Sequence, residues 1–197
     1  MDRTLRTRGS VNQVSLERFD RQRGFGLLDS LVVLLVVAVM AVATVPVVRN
    51  TLRTYHRNGA AREVLAAIRN TQSLAVARGD VFGFHWAGDS GINGSHSQYR
   101  IVRDTTGSCG LPTSGAPADG TNVIRSWVDL TSTFSGTMIG SIRDSANNAV
   151  GAVMFDSKGA SLNTCDSVAF PVLVTITDPD GATRVIEIRA AGGTRLL

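Results

Sequence analysis

The chain contains few of the groups on which enzyme chemistry depends. Its two cysteines, Cys109 and Cys165, form no CxxC pair or cysteine–histidine cluster, and its three histidines, His56, His85 and His96, have no metal-ligand spacing. Its carboxylates are scattered singly, and neither GxGxxG nor GxxxxGKS/T occurs as a phosphate-binding loop. The usual sequence signatures of metal and nucleotide sites are therefore missing, and we expect no metal and no cofactor.

Excess positive charge is also scarce outside the first residues. Residues 1–24 hold six Arg against two Asp and one Glu, so they carry +3 of the formal net charge of +4. The remainder of the 197-residue chain is close to neutral, and the pI of about 9.8 reflects its basic start. Net charge therefore gives no reason to expect strong nonspecific binding to nucleic acid.

A long apolar segment follows the basic start. Residues Ser30 to Val48 are uncharged, interrupted only by Pro46 and closed by Arg49. These nineteen residues approach the about 20 that a helix needs to cross a bilayer core. One carboxylate, Asp29, precedes the run, and a lone charge beside lipid calls for a functional role. The alternative for Asp29 is an acid that snorkels to the membrane edge.

Two simpler readings of this segment stay open. A secretory signal peptide has an apolar core of about 7–15 residues and a small-residue cleavage site, and this run is longer and lacks such a site. A signal anchor is the other. Under each reading the basic start stays in the cytoplasm and residues 50–197 lie outside it. In an oxidising compartment we expect Cys109 and Cys165 to form a disulfide, worth about 4 kcal/mol in the chain-entropy model. Two free buried thiols are the alternative.

The helical pattern continues past the apolar run. From Arg49 to Arg78 there is no proline, and only Gly59 interrupts good helix-forming sequence. Apolar residues recur at three- and four-residue spacing, and arginines lie mostly on the other side. We predict one helix from about Leu27 to Ala77, kinked at Pro46 and ended by Gly79. The apolar face comprises Ala61, Val64, Leu65, Ile68 and Ala75, and the arginines are Arg49, Arg53, Arg57, Arg62 and Arg69.

Short segments rich in β-branched and aromatic residues follow Gly79, separated by turn-forming stretches. This alternation of short β-prone segments with turn-forming stretches predicts strands joined by turns. The clearest pair flanks Asp178-Pro179-Asp180-Gly181, which has turn chemistry. Residues 104–121 are expected to form a long exposed loop. The predicted strands are Val81–Trp86, Gln98–Arg103, Asn122–Asp129, Thr137–Ile142, Val150–Phe155, Phe170–Thr177 and Arg184–Arg189.

These parts together resemble a known family. The sequence Gly24-Phe25-Gly26-Leu27-Leu28-Asp29 resembles the type IV prepilin signature, in which a peptidase cuts after Gly and the new N-terminal Phe is methylated. Pro46 stands where pilins usually carry a kinking proline. The body is similar to GspH/FimT-type minor pilins. The matching segments are LAVARGD (Leu74–Asp80), VFGFHW, MFDSKG (Met154–Gly159) and the closing RVIEIRAAGGTRLL.

The resemblance implies a type IV pilin-like α+β fold, in which a long N-terminal helix packs on an antiparallel β-sheet domain. It implies a leader over residues 1–24, a transmembrane or filament-core helix over 25–48 and a periplasmic globular domain over 49–197. It also implies cleavage between Gly24 and Phe25 with N-methylation of Phe25. The family acid at the position of Asp29 is normally Glu and pairs with the N-terminal amine of a neighbouring subunit, so Asp29 and Pro46 are the expected assembly residues.

The implied function is structural, not enzymatic. The resemblance favours a minor pseudopilin of a type II secretion pseudopilus, processed by prepilin peptidase and anchored by one span in a bacterial inner membrane. Its expected partners are other pilins or pseudopilins, the peptidase and the membrane. The alternative is a minor pilin of a type IV pilus, acting in pilus assembly or in DNA uptake.

Two short segments of the sequence bear on other functions. Gly88-Asp89-Ser90-Gly91 matches the loop around the nucleophile of trypsin-like proteases, but His85 lies only five residues before Ser90 and the chain order of such a triad is absent.

DNA-uptake members of the resembled family carry a basic C-terminal GRxR-like motif. Here the stretch is Gly193-Thr194-Arg195-Leu196, with one Arg. Arg184, Arg189 and Arg195 would form a basic strip for phosphates, or three solvated arginines at an edge.

Overall fold

The computed structural model describes four stretches of the chain, residues 26–87, 97–104, 123–162 and 168–197. They fall into two compact units, one that ends at Val45 and one that runs from Pro46 to Leu197. Several predictions lie outside the described residues: cleavage and methylation at Gly24 and Phe25, the disulfide between Cys109 and Cys165, the loop over 104–121 apart from Asp104, the GDSG sequence, and His96.

One helix, α1, runs from Leu27 to Arg78 and confirms the predicted helix to within one residue at its end. Gly79 ends it in the left-handed region, at φ +68°, where glycine alone avoids a steric penalty. The Gly79 N–H donates to the Ala75 carbonyl at 3.0 Å, which satisfies one of the carbonyls left open at a helix end. Arg78 in the last turn complements the helix dipole.

The first unit consists, in its described part, of the apolar start of α1. Every residue from Gly26 to Val45 is exposed, and the most apolar 18-residue window of the helix has a mean hydropathy of 3.0. By length and composition this helix is able to cross a membrane. So large an apolar surface is not stable in water alone and requires lipid or protein around it.

In the second unit the helix becomes amphipathic. Its buried face consists of small and branched residues, which allow sheets to approach closely: Ala60, Ala61, Val64, Ala67, Ile68, Thr71 and Ala75. Burying each of the larger ones contributes about 1.5–3 kcal/mol. Leu65, which was predicted on this face, is half-buried and packs at its edge.

In the described stretches, eight strands and one short helix follow α1, and all the strand pairs are antiparallel. They form two four-stranded sheets, with orders β3-β2-β1-β5 and β4-β6-β7-β8. The elements are β1 Val81–Trp86, β2 Gln98–Asp104, β3 Val123–Asp129, α2 Leu130–Thr133, β4 Met138–Arg143, β5 Ala152–Phe155, β6 Val172–Thr177, β7 Thr183–Ile188 and β8 Thr194–Leu196. The predicted α+β fold, a long helix packed on antiparallel β-structure, is confirmed.

All seven predicted strands exist, with ends shifted by up to two residues. Two elements were missed. The four-residue helix α2 is capped by Asp129, whose side chain accepts a hydrogen bond from the Thr131 N–H at 2.9 Å. The three-residue strand β8 pairs with β7 at the end of the chain.

The two sheets differ in how they are buried. In β6 of the second sheet Val172, Val174 and Ile176 are buried while Leu173 is exposed, so one face covers the core and the other meets solvent. In the first sheet the strands β1 and β5 are buried on both faces, whereas β3 at its edge is partly exposed. One hydrophobic cluster joins α1 to residues of both sheets.

Candidate functional site

The residue that resemblance assigns to assembly stands at the start of the exposed apolar surface. Asp29 lies in the first turn of α1, where its negative charge complements the helix dipole, and its N–H donates to the Gly26 carbonyl at 2.9 Å. Asp29 is exposed, as are the leucines and valines that follow it. Chemically, this is a single acid at the end of an apolar helical surface, which suits an apolar partner that offers one cation.

Pro46 lies inside α1, where it removes one backbone N–H. The hydroxyls of two threonines near Pro46 donate hydrogen bonds to carbonyls of the preceding helical turn. Thr44 Oγ1 donates to the Met40 carbonyl at 2.7 Å, and Thr51 Oγ1 donates to the Val47 carbonyl at 2.9 Å. This pattern is one that commonly accompanies helix bending. The predicted kink at Pro46 stays a prediction.

Beyond Pro46, charged pairs attach the helix to the turn between β6 and β7. Arg57 Nη1 lies 2.8 Å from Asp178 Oδ2, and these side chains are only 15% and 4% exposed. Arg53 forms a second ion pair with Asp180, and both of those side chains are about half exposed. Asp178 also shapes its turn, because its Oδ1 accepts from the N–H groups of Asp180 and Ala182. The sequence predicted the turn but not its attachment to α1, because the paired residues lie 121 and 127 positions apart in the chain.

A second polar attachment joins α1 to the first sheet. The Tyr99 hydroxyl donates to Glu63 Oε1 at 2.8 Å, and Arg125 Nη2 lies 3.5 Å from the same oxygen. Burial, followed by this hydrogen bond to an acid, raises the pKa of Tyr99, so its hydroxyl stays a donor. This contact fixes the helix relative to β2 and β3.

The only glycine within the amphipathic half of α1 has a packing role. A Cβ at Gly59 would lie 2.6 Å from Cε1 of Phe134, whose ring packs at the edge of the core. The helix interruption noted in the sequence is therefore the place where an aromatic ring rests on the helix backbone.

An arginine and a histidine are buried together in the first sheet. Arg100 is 1% exposed, its Nε donates to His85 Nδ1 at 2.9 Å, and its guanidinium lies 4.5 Å from the ring centroid of Trp127. Burial first, and then the charge of Arg100, lowers the pKa of His85 to about 4. His85 is thus a neutral acceptor that supports a buried cation, and it is not placed as a catalytic base.

The three arginines considered for DNA do not share one surface. Arg184 Nε donates to Asn58 Oδ1 of α1 at 3.0 Å. Arg189 and Arg195 both bind Glu187, at 2.7 Å each, and these hydrogen bonds lower the pKa of that carboxyl. Because β7 alternates its side chains, Arg184 lies on the opposite side of the strand from Glu187.

A small cleft of about 130 Å³ lies beside these arginines, lined by Arg189, Gly193, Thr194 and Arg195. Arg69 reaches it from α1, with its Nε 3.1 Å from Thr194 Oγ1. With Arg69 counted, the charges at this cleft are three arginines and one buried acid, Glu187, so the acid cancels part of the positive charge. Within the described stretches, no group of three or more His, Cys, Asp or Glu is placed to hold a metal ion.

No protein-family model and no curated protein sequence matches the chain. Solved structures similar to it include the type IV minor pilin FimU of Pseudomonas aeruginosa, at 19% identity and a TM-score of 0.48, covering 73% of this chain and 90% of FimU. They also include the minor pseudopilin EpsH from the type 2 secretion system of Vibrio cholerae, at 14% identity and a TM-score of 0.44, covering 72% of this chain and 96% of EpsH.

Proposed function

We propose that this chain is a minor pseudopilin, a structural subunit of the pseudopilus of a type II secretion system. The observation that carries the proposal is the division of α1. Its first part is apolar and exposed throughout, and its second part is buried against a folded domain that begins at Pro46. A subunit that is first anchored in a membrane and then packs in a filament needs this combination.

In this proposal the leader is removed between Gly24 and Phe25, the new N-terminus is methylated, and Asp29 pairs with the N-terminal amine of a neighbour. Two opposite charges in an apolar bundle neutralise each other, whereas each alone would be costly. The domain over residues 49–197 lies in the periplasm. The partners are other pseudopilins, prepilin peptidase and the inner membrane.

Mass spectrometry of the mature protein tests the processing step. We expect a chain that begins at N-methylated Phe25, and we expect Gly24→Ala to slow its appearance. An intact leader, or cleavage close to Val48, would contradict the proposal and favour a signal anchor or an ordinary signal peptide. Loss of protein secretion in a deletion strain, restored by the intact gene but not by Asp29→Ala, would support the assembly role.

The second candidate is a minor pilin of a type IV pilus that takes up DNA. Against it stands the state of the three arginines, since Arg184 binds Asn58 and the other two share Glu187. If the chain bound DNA phosphates, the logarithm of its binding constant would fall with the logarithm of the salt concentration, with a slope of about −0.9 per phosphate contact on duplex DNA. We expect no gel shift at physiological salt.

Two separate variants let the gel-shift experiment distinguish DNA contacts from structural contacts. Arg189→Ala with Arg195→Ala removes the solvent-facing pair, while Arg184→Ala removes a contact to α1 and serves as the matched structural control. Tight binding that is lost in the double variant and kept in the control would overturn the secretion assignment in favour of DNA uptake.

A further inference from the structure

The stretch of α1 that follows the apolar run has an unusual surface. Val48, Leu52 and Tyr55 are all about half exposed or more, the last at 72%, and their spacing puts them on one side of the helix. They extend the apolar surface past Arg49, the first charge after the run. Beside them lies an open groove of about 460 Å³, lined by hydroxyl and amide residues and Tyr55. The lining residues are Asn50, Thr51, Thr54, Tyr55 and Asn58.

The charges of this stretch leave one cation available. Arg53 and Arg57 are each paired with an aspartate of the turn between β6 and β7. The guanidinium of Arg49 has no ion pair or hydrogen bond in the described part of the chain. Asp178 and Asp180 are therefore neutralised, and among the described residues the net charge of this stretch is the positive charge of Arg49.

Distances along the helix place Leu52 at the level of the lipid headgroups and the backbone of Tyr55 a few ångströms beyond it. At 1.5 Å per residue, Leu52 lies about 6 Å and Tyr55 about 10 Å beyond Val48. A headgroup layer is roughly 5–7 Å thick on each side of the hydrocarbon core. Side chains on a helix lean toward its N-terminus, so Leu52 and the Tyr55 ring lean back toward the apolar run. An aromatic residue with a polar tip and a nearby cation is the combination that membrane interfaces favour.

We propose that the segment Arg49–Asn58 is a bilayer-interface surface, in which Leu52 and Tyr55 enter the headgroup layer and Arg49 binds the phosphate of an anionic phospholipid. The occupant is lipid because the surface continues an apolar run long enough to span a bilayer and combines hydroxyls, amides, an aromatic ring and a cation that no described residue pairs. This inference rests on the membrane anchoring of the proposed function. It adds that the domain is held against the membrane surface before the subunit enters a filament.

The test uses the full chain in vesicles of phosphatidylethanolamine and phosphatidylglycerol, with a nitroxide quencher on some headgroups. Tyr55→Trp adds a reporter at the surface, and Ser73→Trp is the matched control, exposed on the same helix about 27 Å further along. The unsubstituted chain gives the background of Trp86 and Trp127. We expect the added fluorescence of Tyr55→Trp to be quenched at least twofold more than that of Ser73→Trp.

The contribution of Arg49 is tested in the same vesicles. Arg49→Gln in the Tyr55→Trp chain should reduce quenching to the level found in pure phosphatidylcholine vesicles. Equal quenching of the two tryptophans would overturn the inference, and so would an emission from Tyr55→Trp that shifts to the blue only as protein concentration rises, which assigns the surface to a second copy. Extraction of the chain by alkaline carbonate would instead contradict membrane anchoring, and the proposed function with it.

Discussion

His85 makes the stability of the domain depend on pH in a calculable way. Its Nδ1 accepts a hydrogen bond from Arg100 Nε, so protonating the ring at Nδ1 removes that acceptor and places a second positive charge beside a buried guanidinium. Burial and that charge lower the pKa of His85 from 6.5 to about 4. The unfolded chain therefore binds a proton between these pH values while the folded chain does not, and stability falls as the pH drops through this window.

The size of the effect follows from the two pKa values. One unit of pKa difference corresponds to about 1.4 kcal/mol, so the loss between pH 7.5 and pH 5 is about 2 kcal/mol. His85→Gln keeps a side-chain acceptor near Arg100 and has no titrating ring. Between pH 7.5 and pH 5 we expect the free energy of unfolding to fall by roughly 2 kcal/mol more in the parent chain than in the His85→Gln variant.

Urea denaturation of residues 49–197 at several pH values measures this difference. Hydrogen bonds lower the pKa of Asp129, Asp144 and Glu187, so these carboxyls lose their contribution as the pH falls toward their folded pKa values, in parent and variant alike. Subtracting one profile from the other leaves the contribution of His85. Parallel profiles would refute the reasoning, because His85 would then titrate alike in the folded and unfolded chains.

Three further predictions concern stability. Gly59→Ala should destabilise the domain by about 1 kcal/mol, because overpacking against Phe134 costs about 1–3 kcal/mol while the higher helix propensity of alanine contributes about 1 kcal/mol of stability. In a Phe134→Leu background the same change should stabilise the domain. Urea unfolding of the four variants of this double-mutant cycle measures whether the effect of Gly59→Ala on the free energy of unfolding changes sign. Arg57→Met should lower the free energy of unfolding by about 3 kcal/mol, because it leaves the buried carboxylate of Asp178 unpaired, whereas Arg53→Met should lower it by less than about 1 kcal/mol. Equal losses of stability in urea unfolding would contradict the importance given to the burial of the Arg57 pair. Removing residues 1–48 should leave a soluble, folded domain whose melting temperature falls in reductant if Cys109 and Cys165 are bridged; aggregation would show that the boundary is misplaced, and an unchanged temperature would indicate free thiols.

Local patterns predicted most of the elements because each carries its own signal. The period of the apolar residues and the stop at Gly79 defined α1, and β-branched runs between turn residues defined seven strands. The strand β8 has three residues, too few to show any alternation, and it exists because β7 offers an edge for antiparallel pairing. The helix α2 reads as Leu-Thr-Ser-Thr, which is typical of a loop until Asp129 caps it.

Long-range pairs set the limit on predicting the site. Asp178 and Arg57 are 121 residues apart, and no local pattern reports that a turn residue will meet a helix. The strands that carry His85 and Arg100 are buried on both faces over most of their length, so two polar residues in strands with a mixed pattern gave no sign of lying together in the interior. Likewise, the charges of Arg189 and Arg195 were visible in the sequence, but their shared partner Glu187 depends on the register of β7 and β8.

The kind of contact that holds α1 changes along its length. From Ala60 onward the helix buries a continuous apolar face, a contribution that salt does not screen. Between Arg49 and Asn58 no helix residue is fully buried, and the attachments of this stretch to the sheets are polar, through Arg53, Arg57 and Asn58. The exposed pair formed by Arg53 weakens with ionic strength, while the pair formed by Arg57 is sheltered. The part of the helix nearest the apolar run is thus the part that the domain holds least firmly, and the proposed function makes use of this, because it requires the apolar helix to change its surroundings while the domain stays folded.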